Sequence, residues 1–466
     1  MLSVLAGLVS VAQAASIAAP GTVAGPDAGA ATVNPSSIRY NPGAIGASEG
    51  FHFLLDGQAS MVHVDATATR NGGVDPNTGE AYKTLSADVA VPVAFLGATW
   101  TVIPKRLTLG LAVDDPFVGG GKYLDKKGNP DLTASGRYHG ISVELLTLAI
   151  TPSVAVTIVP GLHVGVGGSY VYDHVSAVQA ADPLGTEGIS PEELGSTPPD
   201  HPYAYDVILH ADASGGHFAW NAGVFFDKIK QLQIGASYQS GGTFSATGDA
   251  TVDVPAALST TSEATSIPGK VAFTLYTPPV ARLYLSSQLN EKLWVGAGVD
   301  YEMWNVCCGT REGDVLVQVT NEDGDAIGPA DGVSIDIAKD QYNPSRLWNA
   351  AGFSAYGGYQ ATDRLWLGAR GAYNQYAVPS YSVNPVNLDF DNVGVQGGVR
   401  YRFGKSLTLG LSYTHFFLFT REITDSAWNL QDGNERFSPS LPYKTNADGV
   451  YSGSVNVVGV RVAADF

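Results

Sequence analysis

Residues 407–413 read "LTLGLSY", and the way they alternate decides the fold. Leu407, Leu409, Leu411 and Tyr413 fall on one side of an extended chain while Thr408, Gly410 and Ser412 fall on the other, a period of two that only a strand can use. The run from Val393 behaves alike. Val393, Val395, Val399, Tyr401 and Phe403 alternate with Gly394, Gln396, Gly398, Arg400 and Arg402. A soluble sandwich would bury the apolar face and solvate the other. Here glycine recurs on the polar face with isolated Arg, Asp and Gln, which suits a barrel with lipid outside and a polar interior.

The same Leu-x-(Leu/Ile/Val)-Gly signature opens strands at Leu107–Gly110, Leu162–Gly165, Leu232–Gly235, Leu293–Gly296, Leu365–Gly368 and Leu407–Gly410. Each copy follows a brief turn, and upstream of each turn lies another alternating run, so six hairpins emerge. Adding a strand from Phe51 and a closing strand ending "VNVVGVRVAADF" at Phe466 gives fourteen, an even number as in single-chain outer-membrane barrels. The connections on the other rim are long, at about residues 71–84, 115–140, 173–205, 248–270, 307–340, 377–390 and 420–449, the asymmetry expected of periplasmic turns and extracellular loops. A β-propeller also repeats hairpins, but signatures spaced this unevenly do not make blades. The expected fold is all-β, a 14-stranded antiparallel transmembrane β-barrel.

Composition agrees. The 466 residues carry 26 Lys and Arg against 44 Asp and Glu, a net charge of −18 that argues against a nucleic-acid partner. No apolar stretch is long enough for a spanning helix, so a membrane role must use strands. The opening "MLSVLAGLVSVAQA" has the apolar run and small-residue ending of a secretory signal peptide cleaved after Ala14. It lacks a cationic start, so residues 1–14 read as a signal peptide truncated at its beginning. The adjacent Cys307 and Cys308 match no metal spacing. "NEDGDAIGPADG" (321–332) lacks the oxygen spacing and terminal Glu of an EF-hand. No metal, cofactor or catalytic residue is indicated.

A fourteen-stranded bore would stand open unless filled. The Ala- and Gly-rich segment 15–50 is the one long stretch ahead of the first strand, and it is the candidate plug. Within it, "ATVNPSSIRYNPGAIG" resembles the N-terminal hatch of the FadL family of outer-membrane transporters for hydrophobic compounds, where an Asn-Pro-Ala motif precedes the first strand. "LTLGLAVDDPF", "FAWNAGVFFDKIKQLQIGASYQSGGTFSATGDA" and the stretch from Leu365 to Phe417 match in the same order. The resemblance implies a hatch at 15–50 carrying Asn41 and Pro42, with Gly43 in place of the usual Ala, and a barrel over 51–466. It implies passive uptake of long-chain fatty acids or similar hydrophobic molecules: capture by outer loops, an internal pocket, and lateral exit through an inward kink in strand three, placed between Gly110 and Pro116. Aromatic or alkane hydrocarbons are the alternative cargo, and a small-solute porin the alternative function.

Several residues are candidates for that chemistry. Phe117, Tyr123, Leu184, Ile189 and Leu194 lie in long loops that would normally be polar, so they are candidates for an outer apolar groove. Arg370, Arg400, Arg402 and Arg461 fall on lumen faces and could pair with a ligand carboxylate, or with lumen acids such as Asp300 and Glu302. Tyr170, Tyr172, Trp220, Tyr301 and Tyr413 suit an interfacial girdle. The expected surroundings are the bacterial outer membrane, its lipid and its lipopolysaccharide. The barrel is expected to act as a monomer on a hydrophobic small-molecule ligand.

Overall fold

The computed structural model describes residues 25–69, 81, 84–116, 118–122, 140–181, 205–229, 231–308, 315–337, 340–343, 346–384, 388–426 and 447–466. Among these, fourteen antiparallel strands close a barrel. They are β1 (Phe51–Ala68), β2 (Leu85–Ile103), β3 (Leu107–Asp114, then Val118–Lys122), β4 (Ser142–Val159), β5 (Leu162–Ala181), β6 (Val207–Phe226) and β7 (Leu232–Gln239, then Gly242–Val254). The second half comprises β8 (Thr265–Thr277, then Val280–Gln288), β9 (Leu293–Glu302, then Val315–Asn321), β10 (Asp340–Asn343, then Ala350–Gln360), β11 (Leu365–Asn374), β12 (Asn392–Phe403), β13 (Leu407–Leu418, then Arg421–Ile423) and β14 (Gly449–Asp465). The ring shuts where β14 pairs with β1, from His52↔Asp465 to Ala68↔Gly449. Closing the ring pairs the first strand with the last, the condition for crossing lipid with strands.

Through the middle of the barrel the alternation reads as expected. Leu109, Leu111, Leu148, Ile150, Leu409, Leu411, Val458 and Val460 point outward and are exposed, while Thr108, Asp56, Arg370 and Arg461 are buried inside. Tyr170, Tyr172, Trp220, Tyr301 and Tyr413 are exposed on the outer surface, with Tyr170 packed on Phe218 (5.3 Å) and Trp220 on Tyr238 (5.4 Å).

Toward the long-loop rim the strands run further than the lipid pattern suggests. β5 continues to Ala181 instead of stopping near 173, β7 reaches Val254, and β8 starts at Thr265. The cause is an inversion of the two faces. Outward positions become charged, with His174 beside Asp212 (3.6 Å), His210 beside Asp253 (3.1 Å) and Lys270 beside Asp249 (2.6 Å). Inward positions become apolar: Val175, Ala177, Leu209, Ala211, Val252 and Val271 form one buried cluster with Trp304, Val378, Val383 and Phe390 from the loops. The alternation persists, but its sign is reversed.

Residues 321–332 form a hydrogen-bonded turn, in which Asn321 Oδ1 accepts from the backbone N–H groups of Asp323 (3.1 Å) and Asp325 (2.9 Å). Cys307 and Cys308 end a short helix, Trp304–Cys308.

Candidate functional site

The segment 25–50 lies in the bore. It makes a short helix at Ser37–Tyr40 and a 3₁₀ turn at Pro42–Ala47, and nearly all of it is buried. Its contacts reach inner-face residues around most of the ring, a distribution only an interior position allows. Asn41 organises the corner. Its Oδ1 accepts from the Gly43 N–H (3.0 Å), capping the 3₁₀ turn, while its Nδ2 donates to Ala30 O (2.7 Å) and to Val224 O of β6 (3.0 Å). Pro42 fits the first position of that turn, where a missing N–H costs nothing.

The seat beneath this corner is built of glycine. Gly165 on β5 and Gly223 on β6 are ladder partners. A Cβ on Gly165 would stand 2.4 Å from the Pro42 carbonyl, and one on Gly43 would stand 2.6 Å from Gly223 O. Two further signature glycines take part as well. A Cβ at Gly110 would meet Ile38 (2.8 Å), and one at Gly235 would meet Ala30 O (1.8 Å). At Gly165 and Gly235 the strand backbone meets the backbone of the N-terminal segment, whereas Gly296, Gly368 and Gly410 face the wall side chains of Tyr356, Trp366 and Arg400.

Beside the seat, β3 is interrupted. Against β4, Asp114 pairs with Ala149 and Val118 with Leu146, so β3 holds one residue more than its partner, a bulge. Against β2, the ladder ends at Phe95↔Asp114. Among the described residues no ladder pair joins Leu85–Ala94 of β2 to Val118–Lys122 of β3. Asp115 turns out of the ladder, and its Oδ2 accepts from the Ala94 N–H (3.0 Å). Arg39 fixes the break from inside: Nη1 pairs with Asp114 Oδ2 (2.7 Å) and Nη2 donates to Pro116 O (3.3 Å).

The four candidate arginines occupy different places. Arg370 donates to Ala28 O (2.6 Å), Ser354 Oγ (2.8 Å) and Tyr284 Oη (3.1 Å). Arg400 pairs with Asp27 and stacks 3.5 Å over Trp366, and Arg461 pairs with Asp56 (3.1 Å). Burial opposes the charge of Asp27, but Arg400 and Arg461 outweigh it and hold the carboxyl below its ordinary range. Arg402 is exposed at the short-turn rim, where it joins Arg364, Trp294 and Trp366 around a vestibule of about 870 Å³. Three of the four thus anchor the N-terminal segment or the wall. The lumen acid Asp300 is held by Arg282 (3.2 Å) and Tyr284, and Glu302 accepts from Trp304 Nε1 (2.7 Å). Gly110 lies within the continuous part of β3, and Pro116 in its break. Phe117, Tyr123, Leu184, Ile189 and Leu194 lie outside the described residues.

Arg39, Asp114 and Asn221 were not singled out from the sequence. The signal that could have found Asp114 and Asn221 is polarity at inward positions of otherwise apolar runs, "LGLAVDDP" and "HFAWNAG". Asn221 Nδ2 donates to Ile38 O (2.7 Å), a second tie between β6 and the segment.

Residues 4–466 match the family model described as Outer membrane protein transport protein (OMPP1/FadL/TodX). Outer membrane protein P1 of Haemophilus influenzae is 24% identical over 411 residues, 82% of this chain and 80% of that protein. Among solved structures, a FadL homologue of Pseudomonas aeruginosa superposes with a TM-score of 0.71 at 16% identity, covering 94% of this chain and 96% of its own. The toluene transporter TodX of P. putida gives 0.65 at 16% identity, over 93% and 94%. At such identities the structural likeness shows a shared fold.

Proposed function

From the premise that the chain belongs to the outer membrane protein transport family of FadL and TodX, we propose that it carries hydrophobic molecules passively into the bacterial outer membrane. The protein is an outer-membrane β-barrel, and its family and structural neighbours are transport channels, not enzymes. Long-chain fatty acids and aromatic or alkane hydrocarbons are the cargo classes this reading covers.

The observation that carries the proposal is the pairing of an apolar upper wall with the buried segment 25–50 beneath it, beside a broken strand. A hydrophobic solute gains about 0.8 kcal/mol per CH₂ on leaving water for an apolar site. Toward the long loops the inverted inner face of β5 to β8 makes such an apolar environment together with Trp304, Val378, Val383 and Phe390, and a solute entering there would displace contacts within that cluster. Below it the segment 25–50 acts as a hatch that blocks onward passage. The side route lies at the β2–β3 break, where Pro116 and the bulge interrupt the ladder and lipid is the next phase. Capture by the outer loops precedes this step. A small-solute porin would need an aqueous path through the level that the hatch occupies.

The test closes the side route. Deleting Asp115 and replacing Pro116 by Thr equalises β3 with β4 and lets the ladder continue. The altered barrel should still fold and yet fail to support uptake of a radiolabelled hydrophobic solute in a strain lacking its own transporter. Unchanged uptake would overturn the lateral route, and stable single-channel conductance of the wild type in planar bilayers would favour the porin.

A further inference from the structure

The connection from β11 to β12 turns inward instead of out to water. Ala377, Val378, Val383 and Phe390 are no more than 2% exposed. They join the upper cluster, which runs from Leu145 of β4 to Val319 of β9 and meets Tyr451 of β14 on the other side. A solute descending from the long-loop rim toward the β3 break meets this cluster first.

The two legs of the loop, residues 376–384 and 388–391, are tied to each other. The β11–β12 ladder ends at Asn374↔Asn392. Beyond it Asp389 Oδ2 accepts from the Ala377 N–H (2.6 Å) and Asp391 Oδ1 from the Tyr376 N–H (2.8 Å), so carboxylates of the second leg hold the backbone of the first. Arg421, on the short second stretch of β13, grips both legs at once. Its Nη1 donates to Val378 O on the first (2.9 Å) and to Asp389 O on the second (2.7 Å). Nη2 reaches Ser380 Oγ (3.4 Å), and the guanidinium lies 4.1 Å over the Tyr376 ring. Two further ties, from Trp348 N–H to Ala377 O (2.8 Å) and from Ser426 Oγ to Val383 O (2.6 Å), are between neutral groups. Hydrogen bonds from a charged donor are roughly twice as strong as neutral ones, so Arg421 is the main fastening.

We infer that the β11–β12 loop is the entry lid of the transport path and that Arg421 fastens it. The inference rests on the transport reading above and adds the step by which cargo gets in. Because the legs are tied to each other, the loop moves as one piece. Its release withdraws Val378, Val383 and Phe390 from the bore together, and an apolar solute takes their place against the apolar wall. Arg421 is a positioning residue: it touches the lid and not the cargo.

Uptake of a radiolabelled hydrophobic solute below saturation, in a strain lacking its own transporter, tests this. Arg421→Met keeps the bulk of the side chain and removes its donors. Uptake should rise several-fold, and amide exchange of residues 376–384 in the purified barrel should rise roughly tenfold while exchange in β11 stays unchanged. A second variant locks the lid. With Cys307→Ser and Cys308→Ser as background, Ser380→Cys and Arg421→Cys joined by a reducible bis-methanethiosulfonate linker should lower uptake roughly tenfold, and reduction should restore it. Should Arg421→Met fail to fold, the linked and reduced states of the second variant carry the comparison. Uptake indifferent to the linker, or unchanged uptake in a folded Arg421→Met whose loop exchanges faster, overturns the inference and leaves the transport reading standing. If the wild type takes up no hydrophobic solute, the transport reading fails and the lid with it.

Discussion

Arg39 and Asp114 join the N-terminal segment to the broken strand: the guanidinium of one lies 2.7 Å from the carboxylate of the other, with Asp114 buried and Arg39 nearly so. Removing one partner of such a pair leaves an uncompensated buried charge, a loss of about 3–5 kcal/mol. Arg39→Met and Asp114→Leu should each destabilise the barrel by that order in urea titrations of the folded protein in lipid vesicles. The double variant should recover most of the loss. Additive losses would mean that the pair is not coupled.

The glycine seat sets a steric test. Pro42→Ala with Gly43→Val places a branched side chain where a single Cβ already comes within 2.6 Å of Gly223 O. The barrel should keep its heat-modifiable gel mobility, because no ladder bond is touched. The hatch should lift, giving ion conductance in planar bilayers and several-fold lower uptake. Wild-type behaviour would reduce the corner to a linker.

Asp27 anchors the start of the described chain through Arg400, close to Arg461. With its carboxyl held below the ordinary range, its contribution is fully present above about pH 4 and fades only as pH falls through the lowered folded value. Asp27→Asn should therefore loosen residues 25–33 at neutral pH, raising their hydrogen exchange roughly tenfold while exchange in β1 stays unchanged. In the wild type, exchange corrected for intrinsic rates should be flat between pH 5 and 8.

Asp389, in the loop between β11 and β12, behaves in the opposite sense. Burial pushes its carboxyl up to about 7, with Glu302 adding to the rise, while the backbone N–H groups of Ala377 (2.6 Å) and Phe390 (2.9 Å) and the nearby Arg421 oppose it. A raised folded value means that the loop is most stable with the group protonated and loses stability as pH climbs from about 4 through 7. Protection of residues 375–391 should fall on the order of tenfold or more between pH 5 and 8. Asp389→Asn should flatten that dependence.

Much of this architecture is legible in one dimension because lipid imposes a strict code on the outer face. Leu109, Leu411 and Val460 must alternate with inward residues, and the brevity of the turns counts the hairpins. The upper ends of β5, β7 and β8 are harder to read, since their outer partner changes from lipid to water and charged residues such as His174 and Asp212 appear where leucine stood. The corner at Asn41–Gly43 shows in its Asn-Pro-Gly chemistry. The Arg39–Asp114 tie, 75 residues apart in sequence, does not. It depends on how the N-terminal segment is turned within the bore, which no periodicity encodes. The lumen arginines could be assigned to a face, but whether each meets a ligand or a wall acid is a question of three-dimensional neighbours.

The inverted upper wall also dictates an order of assembly. Its outward charges must cross the bilayer before they reach water, and its inward apolar side chains acquire partners only when Trp304, Val378 and Phe390 fold in from the loops. Insertion of the lipid-facing belt and closure of the upper core are then two separate events. Unfolding followed by loop fluorescence should precede loss of strand signal, with the crown melting as a small soluble domain would and the membrane belt surviving it.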